Sequence, residues 1–267
     1  MSGPAELFDV RGARVVVTGA ASGLGFAIAE AMADGGARVT LADIDRARLR
    51  EVAAGLEERG ADVRSAEVNV ADPTQVHALF EDVVEAQGGV DVAFANAGIS
   101  LEPGVVAESG GLANLEPRVW DRVLDVNLNG VLFTVREAAG HMKRQGGGRI
   151  VVTASTAGFG TDPMVGYSYS ATKAAVIILV RQAALELARH GVHVNAIAPG
   201  PFKTNIGGGA PPIPSEAWAE IVAFGRMAEP DELKGVALLL ASPASSFMTG
   251  AVVPVDGGQL LMSHGVP

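Results

Sequence analysis

The chain has no cysteine among its 267 residues. Disulfides, thiolate metal sites and cysteine nucleophiles are therefore excluded. Histidine is sparse: His77, His141, His190, His193 and His264 are scattered without the spacing of metal ligands, so no metal site is expected. Positive charge is in deficit, 20 Lys and Arg against 30 Asp and Glu, for a formal charge of −10. That argues against a general nucleic-acid binder or a ligand of anionic membranes. No run reaches the ~20 apolar residues of a membrane span. The longest candidate, Ala174 to Leu187, is broken by Arg181, Gln182 and Glu186. The stretch from Met1 to Asp9 has neither the basic start nor the apolar centre of a secretory signal. A cytoplasmic protein is the expectation. There are only two tyrosines, Tyr167 and Tyr169.

What is present is alternation. Short β-branched runs at 14–18, 38–42, 63–68, 90–95, 149–154, 192–198 and 251–255 read as buried strands. Helical patterns fill 23–34, 45–59, 73–87, 117–144 and 168–190. Asp72 is placed as N-cap and Pro73 at the first helical position. The rhythm predicts an α/β fold: a single-domain, doubly wound, Rossmann-like parallel sheet of about seven strands with helices on both faces. One domain over 1–267 is expected, with a flexible substrate flap at about 200–225. Ser100–Glu116 reads as a long loop. Pro199–Pro214, with the Gly207–Gly209 run, reads as a mobile flap or lid.

Two groups of residues carry chemistry. The first strand runs into Thr18-Gly19-Ala20-Ala21-Ser22-Gly23-Leu24-Gly25, which opens the first helix. Glycines there let the backbone approach a pyrophosphate, and the helix N-terminus offers N–H donors. Asp43 ends the second strand, at the offset where a carboxylate accepts from an adenosine ribose and repels a 2′-phosphate. NAD is thus favoured over NADP, although Arg46 and Arg48 stand nearby. Further on, Tyr169 and Lys173 lie four apart, on one helix face. An ammonium beside a phenol favours the phenolate, which would make Tyr169 a general acid/base.

These motifs fall in one order with Asn96-Ala97-Gly98, Asn127, Ser155, Pro199-Gly200, Thr249-Gly250 and Asp256-Gly257-Gly258. From about Gly12 to Gly258 the chain resembles the short-chain dehydrogenase/reductase family. The resemblance implies an NAD(P)-dependent oxidoreductase acting on CH–OH groups, with a small-molecule alcohol or ketone as substrate. It makes Tyr169 the acid/base and gives Lys173 the nicotinamide ribose and the task of lowering the Tyr169 pKa. Ser155 would bind the substrate oxygen, and Asn127 a water linking Lys173 to solvent. Gly19, Ser22, Gly23, Leu24 and Gly25 would hold the pyrophosphate. Asp43, Ile44, Asn69, Val70, Asn96, Ala97 and Gly98 would line the adenosine. Pro199, Gly200, Phe202 and Thr204 would line the nicotinamide. Ser155 precedes Tyr169 by fourteen residues, one more than the commonest family spacing, so Thr156 could compete for its role. Asn69 stands where the family often has aspartate, and the loop Ser100–Glu116 is longer than usual.

The substrate lining is expected to be mainly apolar: Ser155, Thr156, Ala157, Phe159, Met164, Pro201, Phe202 and the flap, with Tyr167 as pocket wall or packed ring. Lys203 reads as solvated. The helix 168–190 is apolar nearly all round and 117–144 is similar, so a homotetramer built on these two helices is expected. Three rival readings are an NADPH-dependent carbonyl reductase, a non-catalytic dinucleotide-binding regulator, and an epimerase or dehydratase. The short chain after Gly258 disfavours the last.

Overall fold

Continuous valine runs require cover on both faces, and the sheet supplies it. In β1 (Arg14–Thr18) the residues Val15, Val16 and Val17 are fully buried. The computed structural model describes residues 3–206 and 215–262. Six further strands follow: β2 (Arg38–Asp43), β3 (Val63–Glu67), β4 (Val92–Ala95), β5 (Gly148–Thr153), β6 (Val192–Pro199) and β7 (Val252–Val255). They form one parallel sheet in the order β3-β2-β1-β4-β5-β6-β7. The chain reverses its direction of winding between β1 and β4, where the loops at the strands' carboxyl ends diverge and leave a crevice.

Each face has its own core. The helices Gly23–Asp34, Arg46–Glu58 and Lys234–Ala241 pack on one side through Ile28, Met32, Leu49, Leu56 and Leu240. Pro73–Gln87, Gly130–Gln145 and Tyr167–Leu187 pack on the other through Phe80, Val135, Met142, Val176 and Val180. Local chemistry sets the ends. Asp72 accepts from the Thr74 and Gln75 amides, Pro73 opens the helix, and Gly88, at φ 84°, closes it. Asp45, not Asp43, caps the helix Arg46–Glu58, accepting from the Arg48 amide.

The long helix expected over 117–144 is interrupted. An α-helix at Pro117–Leu124 passes through a π turn at Asp125–Asn129 before resuming at Gly130–Gln145. The cause is tertiary. The Asn127 side chain is fully buried and bonds Ile99 twice: its Oδ1 accepts from the Ile99 amide and its Nδ2 donates to the Ile99 carbonyl, both at 2.8 Å. A Cβ on Gly130 would lie 2.8 Å from Val70 Cγ2, so glycine lets this turn approach the chain after β3. The loop Ser100–Glu116 contains two short 3₁₀ turns, Glu108–Gly110 and Leu112–Asn114. Of the expected flap, 207–214 lies outside the described residues, and a short helix, Ser215–Ala219, follows.

Candidate active site

The turn after β1 is shaped by what cannot fit there. Gly19 has φ 70°, and a Cβ on Gly25 would sit 1.9 Å from the Gly19 carbonyl oxygen and 2.5 Å from Asn96 Nδ2. The helix Gly23–Asp34 can start this tightly only with glycine at both positions. Its N-cap, Ser22, makes no side-chain capping bond. The N–H donors of the first turn are thus left for an anion, and Ser22, Gly23 and Leu24 line a cleft of about 980 Å³.

Asn96 locks this turn to the sheet. Its amide Nδ2 donates to the Thr18 carbonyl (3.1 Å) and its Oδ1 accepts from the Thr153 hydroxyl (2.9 Å). One side chain thereby joins the ends of β1, β4 and β5. Asp43 is fixed beside it, accepting from the Ala21 amide through Oδ2 and from the Asp45 amide through Oδ1, each at 3.0 Å. Arg46 reaches Glu67 and Arg48 reaches Glu51, so both nearby guanidinium groups are paired on the surface. Ile44, Asn69, Val70, Ala97 and Gly98 complete this end of the cleft. Asn69 Oδ1 accepts from the Ala71 amide at 3.2 Å.

At the other end the cleft is lined by Thr153, Ser155, Tyr169 and Lys173 and roofed by Pro199, Gly200, Phe202 and Thr204. Ser155 is buried, accepts from the Ala157 amide (3.2 Å) and stands near enough to the Tyr169 hydroxyl to favour its phenolate. Lys173 is only 2% exposed. Its Nζ donates to the Thr153 carbonyl at 2.7 Å and lies 5.6 Å from the Tyr169 ring centroid. Thr156 does not compete with Ser155. Its hydroxyl is committed to the Pro199 carbonyl (3.2 Å) and to Gln259 Oε1 (2.8 Å).

Several expected positions lie away from the cleft lining. Gly25 does not line the cleft; it packs behind the turn and shapes it. Asn127 also stays out, braced behind Gly98. Tyr167 is 38% exposed and, like Phe159, forms no part of the wall. The Tyr169 pKa lies above the ordinary phenol value. Burial pushes the phenol up, the Ser155 hydroxyl opposes that rise, and the Asp162 carboxylate adds to it.

The lining is also more polar than expected. It includes Glu102, Arg122, Asp162 and Gln259, none of which stood out in the sequence. Glu102 accepts from both the amide (2.6 Å) and the hydroxyl of Ser168, at the start of the helix Tyr167–Leu187. The loop bearing it is bridged to the opposite wall at Pro103 and Val165. Asp162 accepts from the Met164 amide (2.9 Å) and from Gln259 Nε2 (3.2 Å). Lys203 is exposed to solvent as expected and pairs with Glu229 on the surface. Among the described residues no group of His, Asp or Glu side chains could hold a metal ion. No described helix is long and apolar enough to cross a membrane.

Burial lowers the Lys173 pKa from 10.5 to about 8. The unfolded amine binds its proton more tightly than the folded one. Burial of Lys173 therefore penalises stability below about pH 8, and stability recovers as pH rises from about 8 towards 10.5. A carbon-13 titration of the lysine ε-methylenes should show one signal with a midpoint near 8, absent in Lys173→Met. A midpoint above 10 for that signal would contradict the burial argument.

A sequence profile described as enoyl-(acyl carrier protein) reductase matches residues 19–259. Meso-2,3-butanediol dehydrogenase of Serratia marcescens is 36% identical over 244 residues, 91% of this chain and 93% of the relative. The crystal structure of a short-chain type dehydrogenase/reductase from Mycobacterium marinum superposes with a TM-score of 0.88 at 35% identity, over 95% of this chain and 98% of that one. A 3-ketoacyl-(acyl-carrier-protein) reductase from Brucella melitensis, crystallised with NADH, gives 0.85 at 30% identity, over 94% and 99%. With the glycine turn, Ser155, Tyr169 and Lys173 gathered in one cleft, and with matches spanning nearly the whole chain, the protein belongs to the short-chain dehydrogenase/reductase family of nicotinamide-dependent oxidoreductases.

Proposed function

We propose that the protein is an NAD-dependent dehydrogenase of secondary alcohols, working reversibly on the matching ketones in the cytoplasm. The observation that carries this reading is the Tyr169 hydroxyl, set in one cleft with Ser155 and with the Lys173 amine over its ring, where an uncapped helix N-terminus also points. That cleft suits a dinucleotide: N–H donors face it at one end, and Asp43 is set to accept from a ribose. A bound nicotinamide supplies the hydride acceptor in oxidation and the donor in reduction. Tyr169 takes the hydroxyl proton of the alcohol as hydride leaves the carbinol carbon, and returns it in reduction. Ser155 donates to the substrate oxygen and stabilises the charge that develops there. Lys173, cationic below about pH 8, stabilises the phenolate once it forms and holds ribose hydroxyls. Asn127 braces the segment that ends at Ile99 through both polar atoms of its side chain.

The helix Tyr167–Leu187 leaves Ile178 and Leu185 61% and 77% exposed, and Leu132 is exposed on Gly130–Gln145. These apolar surfaces support a homotetramer assembled through the two helices.

The test is a panel of secondary alcohols with NAD and NADP, read by reduced-nicotinamide absorbance. Turnover is expected with NAD at the higher kcat/KM. Asp43→Ser should narrow the NAD/NADP ratio by about tenfold or more, the scale of removing one charge-assisted hydrogen bond to the ribose and one repulsion of the 2′-phosphate. An unchanged ratio would remove Asp43 as the discriminator, and failure of every alcohol with both nucleotides would overturn the activity.

A further inference from the structure

The helix that carries Tyr169 and Lys173 starts without a cap of its own. Gly166 is its N-cap and has no side chain. Nothing local therefore accepts from the amide of Ser168, the second helical residue, where a cap side chain ordinarily binds. Ser168 is fully buried, so its amide and hydroxyl would be costly donors to leave unmet. The acceptor comes from a distant loop. Glu102 Oε1 accepts from the Ser168 amide at 2.6 Å and also from the Ser168 hydroxyl. A carboxylate suits that place, because a helix N-terminus carries partial positive charge.

Gly166 and Glu102 are matched in shape. A Cβ on Gly166 would lie 2.0 Å from Glu102 Cγ and 2.7 Å from its Cδ, so the carboxylate arm fills the space of the missing cap side chain. The loop behind Glu102 is locked to the segment that precedes the helix. Pro103 bridges Val165, and the Val106 amide donates to the Pro163 carbonyl at 3.2 Å. A Cβ on Gly104 would lie 2.2 Å from that same oxygen, so the two segments are in close contact. Tyr169 follows Ser168 directly, and a displaced first turn carries the phenol with it.

We infer that Glu102 is a positioning residue for the reaction: through Ser168 it holds the first turn of the helix Tyr167–Leu187 and so fixes where the Tyr169 hydroxyl meets the substrate oxygen. This rests on the proposed alcohol oxidation and adds a residue to its machinery. The reaction is sensitive to such placement, since an error of about 1 Å can cost on the order of 100-fold in rate.

Steady-state kinetics with 2-butanol and NAD test the role, beside amide exchange in the segment 167–173. Glu102→Ala should lower kcat by about tenfold or more, with KM for 2-butanol and Kd for NAD within about threefold of wild type. Glu102→Gln keeps an acceptor oxygen and should recover most of the rate. Gly166→Ala leaves the carboxylate in the chain but displaces it, so it should lose as much as Glu102→Ala. The double variant should be no worse than either single one, because both break the same contact. Glu108→Gln, an exposed change in the same loop, is the control and should match wild type. If Glu102→Ala does not fold, Glu102→Asp replaces it, keeping the charge and shortening the reach by one methylene. A rise in KM with kcat intact would make Glu102 a substrate contact and overturn the assignment. Losses that multiply in the double variant, or a loss in Glu102→Gln as large as in Glu102→Ala, would also overturn it. Exchange at the Ser168 amide should be about tenfold faster in Glu102→Ala and Gly166→Ala than in wild type. Unchanged exchange in an active protein sinks this role alone, whereas failure of the wild-type protein with every secondary alcohol sinks the oxidoreductase reading and the role with it.

Discussion

Tyr169→Phe is expected to remove at least ~99% of turnover while dinucleotide binding survives, because general acid/base catalysis is worth about 10²–10⁴-fold. The substitution deletes one oxygen. The ring remains, and so does the contact of the Lys173 amine with its face. What goes is the proton carrier that stands beside Ser155. No neighbouring hydroxyl can stand in: Ser155 has no base beside it other than Tyr169, and Thr156 is tied to Pro199 and Gln259. Trp218 lines the cleft, so its fluorescence can report nucleotide binding in the inactive variant. Near-normal turnover in a folded, nucleotide-binding Tyr169→Phe protein would remove the phenol from the mechanism.

The second large effect belongs to a residue outside the cleft lining. Gly25→Ala should weaken dinucleotide binding by about tenfold or more and destabilise the fold by about 1–3 kcal/mol, the usual cost of overpacking. The added methyl would meet the Gly19 carbonyl at 1.9 Å. That is backbone, which cannot rotate aside as a side chain can. The turn has to open, and the N–H donors of the first helical turn move with it. Gly55→Ala is the matched control. Gly55 lies inside the helix Arg46–Glu58, and a Cβ there meets nothing within 4 Å. That variant should gain about 0.5–1 kcal/mol through helix propensity and bind nucleotide normally. Urea midpoints and nucleotide titrations of the two variants give the comparison. Unaltered affinity in Gly25→Ala would show that the turn does not need its tight form.

Local signals are readable in the sequence, and contacts between distant segments are not. Asp72-Pro73 marks a helix start to the residue because capping is a matter of adjacent backbone groups. The valine runs reveal a doubly covered parallel sheet because burial on both faces leaves no polar alternation. Tyr169 and Lys173 declare themselves through helical spacing. The π turn at Asp125–Asn129 is hidden, since its cause is a bond from Asn127 to Ile99, 28 residues earlier. Gln259 and Asp162 are 97 residues apart and look like surface polar residues until the chain end folds under the cleft. The spacing of Lys173 suggests an ammonium acting on the phenol, but it cannot reveal that the amine is desolvated and turned to the Thr153 carbonyl. Tyr167, two residues from Tyr169, points to another face of the same helix, which only the helical phase reveals.

The clasp between Glu102 and Ser168 bears on how such a chain could be redesigned. The helix carrying Tyr169 has Gly166 as its N-cap, which has no side chain to satisfy the first amides, and the acceptor arrives from a loop 66 residues upstream. Segment 100–116 is therefore no free insert. A graft that exchanges it for another loop, in order to redirect selectivity, would leave the Ser168 donors without their carboxylate and loosen the element that aims the phenol. Recombination between relatives should accordingly move 100–116 and 162–168 as a single cassette.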